Sequence, residues 1–327
     1  VTGAFTLAPD GTGAVTIVNA AGLNLAASTM GGDFSGTATT GDISDSGILA
    51  ITGDSTFTAA GGQSVTLNNA NNFTGTVTFA TPSGNLKNVT VTDTTALVLG
   101  PLTLAQVSSA GGNLTVNTGG ALTDSGALVI PGTTTITATG QVVDLDHTSN
   151  NFATILFGSS SNAVSSVEVV DTNGIIIGAS KSTGNFTVTA GGNVTDSGNV
   201  TVGANLSVTT TASDGLINMG TLLVDGTVAL TTNGTGAATV VNDAGLNFAA
   251  STVGGALSAT ATTGNITDSG TLAITGTTTL VTSANDATIT LNDTSNAFTG
   301  ALTITTNDSS GTDADVAIDG GTTALII

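Results

Sequence analysis

Apolar and polar positions alternate in twos along most of this chain. Phe73, Gly75, Val77 and Phe79 fall on one face of an extended segment, with Thr74, Thr76 and Thr78 on the other. The same alternation runs through Val89-Thr90-Val91-Thr92, Phe186-Thr187-Val188-Thr189 and Leu302-Thr303-Ile304-Thr305. Thr, Val and Ile dominate because β-branched side chains fit a pleated, half-buried surface. Turn dipeptides interrupt the pattern every few residues, among them Asp10-Gly11, Asn173-Gly174, Asp214-Gly215, Asp225-Gly226, Asn233-Gly234 and Asp319-Gly320. No segment carries an apolar stripe of period 3.6 with charged flanks. The pattern predicts short strands nearly throughout and almost no helix.

Those strands recur at long range. Asp-Ser-Gly occurs at Asp45, Asp124, Asp196 and Asp268, closed by Gly47, Gly126, Gly198 and Gly270, at spacings of 79, 72 and 72 residues. An offset of 223 aligns GTGAVTIVNAAGLNLAASTMGG (Gly11 to Gly32) with GTGAATVVNDAGLNFAASTVGG (Gly234 to Gly255). Fixed-period self-similarity is the signature of stacked units, each burying its neighbour's face. The repeats read as 22–95, 96–173, 174–244 and 245–323, with partial units at both ends of one continuous segment, 1–327. The distal part reads SVTLNNANNFTGTVTF in the first copy, VVDLDHTSNNFATILF in the second and ATITLNDTSNAFTGALTI in the fourth. The third copy is the most eroded there. Because the sequence starts and stops inside a unit, the terminal strands are expected to be covered by more of the same chain or by another copy of it.

A unit this long with about eight short strands exceeds a propeller blade of roughly 40 to 50 residues and falls short of an immunoglobulin-like domain of roughly 100. Strands so short that turn so often suit a parallel β-helix, its interior filled by ladders of Val, Ile, Leu, Phe and Ala. Asn68-Asn69 and Asn71-Asn72 suit stacked turns. A strict six-residue period and the calcium-binding glycine-rich nonapeptide are both missing. The expected fold is all-β, a right-handed parallel β-helix (β-solenoid) with about three coils per 72–79-residue repeat. Phe34, Phe57, Phe73, Phe79, Phe186, Phe248 and Phe298 are expected to point inward.

Composition narrows the function. The 327 residues include no Cys, Trp, Tyr or Arg; Lys87, Lys181, His147 and Glu168 are the sole members of their kinds, and the net charge is −20. Without Cys there is no disulfide or thiolate metal site, so stability must come from the stacked core. Strong negative charge without basic patches argues against nucleic acid and anionic membranes as partners. No run of about 18 apolar residues marks a membrane-inserted helix. An acidic exterior rich in Thr, Ser, Asn and Gly reads as a secreted, extracellular surface.

Candidate chemistry is sparse. Asp144-Leu145-Asp146-His147 is the one place where carboxylates meet an imidazole, and β-helical pectinases hydrolyse polysaccharides with several Asp and a His. Such sites also need cationic residues to hold an acidic sugar, and this chain has no Arg at all. His147 aligns with Asn69 and Asp293 or their neighbours, which makes it a turn residue. Asp308, Asp313, Asp315 and Asp319 are the candidate Ca²⁺ ligands, since that ion takes six to eight oxygens; a solvated acidic turn is the preferred reading, and no other cofactor is expected. The Asp-Ser-Gly tripeptides are expected to be corners, Asp bonding the backbone two residues on and Gly taking a positive φ.

The run GGALSATATTGNITDSGTLAITGTTTLVTSANDATITLNDTSNAFTGALTI (Gly254 to Ile304) resembles the tandem β-strand repeats of giant bacterial surface proteins, related to the filamentous-haemagglutinin-like exoproteins of two-partner secretion. The resemblance implies a right-handed parallel β-helix, secretion to the cell surface, and service as a fibrous adhesin shaft or extracellular filament. Its partner would be itself, stacked end to end or continued in a longer chain, with host or surface glycans as a further class. The expected function is structural and not enzymatic. An ice-binding or carbohydrate-binding β-helix is the alternative, a polysaccharide-degrading β-helix coming third. The Thr-x-Thr pairs at Thr76, Thr90, Thr135, Thr187 and Thr303 bear on ice binding, but they fall in different parts of the unit and are expected to scatter around the coil.

Overall fold

In a computed structural model, residues 3–9, 11–105, 111–307 and 314–327 are described. They form strands without a helix, and their ladder pairings are parallel. The partner of a strand is the segment about 21 residues further on, one coil later, so the chain is a parallel β-solenoid with about three coils in each repeat of about 70 residues. The chain divides into two compact units, Val1–Asp171 and Thr172–Ile327.

In the first unit, Val15–Asn19, Phe34–Ala38, Ser55–Ala59 and Thr76–Ala80 stack in register, Ile17 on Gly36, Gly36 on Phe57 and Phe57 on Phe79. A second column runs through Leu67, Val91, Val116, Ile136 and Phe157, all fully buried. Parallel stacking places like residue on like residue, so each coil fills the next one's floor. The backbone is satisfied along the same direction: Leu23 N–H donates to Asp42 C=O, Ile43 to Ser64, Val65 to Asn88 and Val89 to Asn113.

All seven phenylalanines expected inside are buried. Phe57 sits at the centre of a cluster, its ring centroid 5.4 Å from Phe34, 5.9 Å from Phe73 and 6.0 Å from Phe79. Gly36 makes room for it, since a Cβ there would meet the Phe34 ring at 2.7 Å. Each such ring contributes roughly 2–3 kcal/mol of burial.

The second unit repeats the scheme. Ile217, Ala238, Leu257, Thr278 and Leu302 form one inward file, and Met219, Val240, Ala259 and Leu280 the next. Leu246, Ile266 and Ile289 form a third. Ile304, which extends the Met219 file, is only half-buried.

Outward positions stack as well. Ser44, Thr66, Thr90, Thr115 and Thr135 make a single file of hydroxyls, while the parallel file runs Thr92, Asn117, Thr137. Thr78 stands on a different column with Thr56, and Thr187 with Ser207. In the first unit the pairs at Thr90 and Thr135 share one double file and the pair at Thr76 stands on another, because parallel register carries one repeat position into the next coil.

Candidate functional site

The polar constellation that recurs most regularly is built around the Asp-Ser-Gly tripeptides. Each lies at the junction of two strands: Ile43–Asp45 and Leu49–Ile51, Leu122–Asp124 and Leu128–Thr137, Val194–Asp196 and Val200–Val202, Ile266–Asp268 and Leu272–Ile274. They are corners, but two details differ from expectation. The four glycines do not have positive φ. They are required by close approach: a Cβ at Gly126 would lie 2.9 Å from Pro101 Cδ, and one at Gly270 would lie 2.5 Å from the Ala250 nitrogen, both on the preceding coil. Apart from a bond between Asp124 and its own N–H, the carboxylates do not bond their own turn. They reach forward to the following coil, where a ring of backbone N–H groups turns toward them.

Asp45 accepts hydrogen bonds from the N–H groups of Asn68 (3.0 Å) and Asn69 (3.1 Å), and from Asn71 Nδ2 at 2.8 Å. Asp268 accepts from Asn292 (2.9 Å), Asp293 (3.2 Å) and Asn296 Nδ2 (2.6 Å). Asp124 accepts from Asn150 Nδ2 at 2.6 Å and from the His147 N–H. The same asparagines bond back to the corner: Leu49 N–H donates to Asn71 Oδ1 (2.8 Å), Leu128 to Asn150 Oδ1 (2.8 Å) and Leu272 to Asn296 Oδ1 (2.7 Å). Backward, the Ser N–H of each corner donates to the preceding coil, as Ser46 does to Leu25 C=O at 2.7 Å and Ser269 to Phe248 C=O at 2.7 Å. The corner is therefore stitched to the coils on both sides, and Asn71, Asn150 and Asn296 are almost completely buried, with both ends of the amide bonded.

One coil further on, a second acid continues the line in the first unit. Asp93, paired in register with Asn71, accepts the Phe73 N–H (3.3 Å) and the Thr95 N–H (3.1 Å). Asp171 accepts the Phe152 N–H at 2.5 Å. Burial pushes the Asp93 carboxyl above the usual carboxylate range against those hydrogen bonds, and its Oδ2 has no partner. Burial also raises Asp124, against the Asn150 hydrogen bond.

The third copy solves the corner differently. Asp196 accepts from the Gly220 N–H (3.0 Å) and from both the N–H (2.7 Å) and the hydroxyl (2.8 Å) of Thr221. Buried Leu222, paired with Val200, occupies the place of the asparagine. Asn242 replaces the second acid, its Oδ1 accepting the Val224 N–H at 2.8 Å.

A family of repeats of unknown function, DUF5649, matches residues 12–80, 86–157 and 235–305. The chain belongs to this family. Comparison with curated proteins and with solved structures found no match. Each DUF5649 match contains one Asp–Asn clamp, Asp45 with Asn71, Asp124 with Asn150 and Asp268 with Asn296, and the unmatched stretch between 157 and 235 holds Asp196 with Thr221.

The remaining candidates do not converge within the DUF5649 framework. Asp144 faces outward between Thr123 and Glu168 in the parallel ladder, its carboxyl raised by burial and by the charge of Asp146. His147 lies in the turn before Asn150: its Nδ1 accepts the Ser149 N–H at 3.2 Å, and its carbonyl accepts the Asn150 N–H at 2.9 Å. Its backbone N–H serves Asp124 as those of Asn69 and Asp293 serve Asp45 and Asp268, which accounts for the alignment of the three residues. Of the four candidate Ca²⁺ ligands, Asp308 and Asp313 lie outside the described residues; Asp319 Oδ1 accepts the Gly321 N–H at 2.8 Å, and Asp315 C=O accepts the Ile289 N–H at 3.0 Å. Among the described residues, no group of three or more His, Asp or Glu is placed to hold a metal ion, and no helix is long and apolar enough to cross a membrane.

Sequence reasoning took Asn71 for a stacked-turn residue and did not single out Asn150 or Asn296, although a signal for the clamp existed. Asn-x-Phe follows Asp-Ser-Gly at a nearly fixed distance in three copies: Asn71/Phe73, Asn150/Phe152 and Asn296/Phe298.

Proposed function

We propose that this chain is structural: a repetitive shaft segment of a secreted extracellular fibre or cell-surface adhesin of the filamentous-haemagglutinin-like kind, working by stacking with more of the same repeats. One observation carries the reading. At three of the four corners a carboxylate oxygen and an asparagine amide are spent on holding one coil to the next, through the same atoms, and at the fourth Thr221 takes the asparagine's part; only Asp124 Oδ1 is left without a partner. A catalytic centre needs one copy whose polar groups are free and convergent, whereas a shaft needs every copy to be held alike. Membership in a repeat family and the acidic, hydroxyl-rich exterior support the same reading.

The test is immunogold electron microscopy of intact producing cells with antibodies raised against this chain. Label distributed along surface filaments is the expected result. Label confined to the cell interior, or release of the chain as free monomers that cleave a polysaccharide, would overturn it.

A further inference from the structure

An asparagine followed by glycine can react with its own main chain, because glycine has no side chain to keep its nitrogen from the neighbouring carboxamide carbon. The dipeptide occurs twice in this chain, at Asn173-Gly174 and Asn233-Gly234. The two sit differently. Asn233 ends the strand Thr227–Asn233, and a short loop carries the chain round to Ala238–Asn242. Asn233, Gly234 and Thr235 are exposed, Gly234 lies in the left-handed region (φ +64°), and its N–H meets no acceptor in the chain. Gly174 leads straight into Ile175–Ile177, and its nitrogen is pressed beneath the following coil, where a Cβ on Gly192 would lie 2.7 Å from it. At Gly234 the following coil, through Gly254, lies against the carbonyl oxygen and leaves the nitrogen clear.

We propose that Asn233 is a self-modification site, losing its amide with time through attack by the Gly234 nitrogen. That nitrogen gives its proton to water and bonds to Cγ of Asn233; the Cγ–Nδ2 bond breaks, ammonia leaves, and a cyclic imide remains. Water, the sole co-reactant, then opens the ring. Opening at Cγ gives aspartate on the original main chain. Opening at the backbone carbonyl carbon gives isoaspartate, whose main chain runs through Cγ and is one carbon longer. The inference goes beyond the shaft reading and does not rest on it.

The two products differ in consequence. Aspartate is what the first repeat already carries at the equivalent place, Asp10-Gly11 at the 223-residue offset, so the repeat accommodates it. Isoaspartate turns the Asn233 carbonyl into a side-branch carboxylate. That carbonyl accepts the N–H groups of Asp214 (3.0 Å) and Gly236 (3.2 Å), and Asn233 stands in register on Ser213. The longer main chain breaks this register and takes the acceptor away from both amides. Either product also places a new carboxylate near Asp214, which its hydrogen bonds from the Thr235 hydroxyl and N–H, both 2.6 Å, hold in the ionised form. Modification thus loosens one coil from the one before it.

The test compares the folded full chain with the same chain unfolded in urea, both aged at mildly alkaline pH. Peptic mapping by mass spectrometry follows the amide-to-acid change at each asparagine, and an isoaspartyl methyltransferase assay counts isoaspartate. In the folded chain Asn233 is expected to convert within about tenfold of its unfolded rate, with Asn173 slower than Asn233 by at least about tenfold. Asn233→Asp should keep the thermal melt and release no ammonia from this position, and Asn233→Gln should stay unmodified. Hydrogen exchange on the aged fraction should show the Asp214 and Gly236 amides losing protection. Asn233 left intact when the unfolded chain has converted, equal rates at Asn173 and Asn233 in the folded chain, or unchanged protection of those two amides in the isoaspartate form would overturn the proposal.

Discussion

The corner at Asp45 and the corner at Asp196 trace the same path with different chemistry. At Asp45 the following coil inserts a buried asparagine, bonded at both ends, and follows it with the buried phenylalanine Phe73. At Asp196 the following coil has the same register offset, but Leu222 and Val224 fill the interior positions, and the carboxylate is met from outside by exposed Thr221. Backbone N–H groups reach the carboxylate in both. The shared element is therefore the acid accepting amides from the next coil. The amide clamp is a second layer that adds directional bonds in the dry interior. Buried polar groups must all be satisfied or be absent, and the two corners are the two consistent answers.

Breaking the first answer should have the largest effect. Asn71→Leu imitates the third copy without its Thr221, removing a donor from Asp45 and orphaning the Leu49 N–H; a loss of about 3–5 kcal/mol is expected. Urea unfolding gives the total, and hydrogen exchange should show the loss of protection localised to Leu49 and Asn68. The reverse change, Leu222→Asn, buries an amide whose natural acid is already occupied, and should cost about 1–3 kcal/mol. Unchanged stability there would mean that Asp196 can be recruited from Thr221. Thr221→Ala, at an exposed site, should cost only about 1 kcal/mol, since water can replace the hydroxyl.

A subtler contrast separates Asp93 from Asn242, which accept the corresponding N–H groups of Phe73 and Val224. Burial raises the Asp93 carboxyl above its unfolded value, so the folded chain holds that proton more tightly than the unfolded one. Its contribution is fully present below the unfolded pKa of about 3.9 and is lost as pH rises through the higher folded value. Asp124 and Asp144, raised as well, act in the same direction. The melting temperature should rise on acidification from neutral pH toward 5, and Asp93→Asn, which copies the third repeat, should flatten that rise. The smallest effect is expected at His147→Ala, within about 0.5 kcal/mol, because the bond that matters to Asp124 comes from the backbone.

Much of this was legible in the chain. The alternation of Phe73, Val77 and Phe79 with threonines identified strands and their inward faces, and the spacing of Asp45, Asp124, Asp196 and Asp268 identified the repeat. The erosion of the third copy was visible where Thr221 and Leu222 later proved to take over the corner. What stayed hidden was the reach of the corner acids. Local rules assign an Asp before Ser-Gly to its own turn, and only the stacking of coils brings Asn71 or Asn296 within 3 Å of it. The role of Gly47 and its counterparts was misread for the same reason, since crowding by a neighbouring coil leaves no mark on the tripeptide.

By itself the sequence determined the period, the strand content and which face of each strand is apolar, because these depend on side-chain alternation and on turn residues that act within a few positions. Tertiary structure decided which polar group meets which. In a parallel stack a residue's partners lie about 21 positions away, and loops of uneven length set the register between them. That register closes the amide of Asn71 between Asp45 and Leu49, and leaves Asn24 Oδ1 buried without a partner.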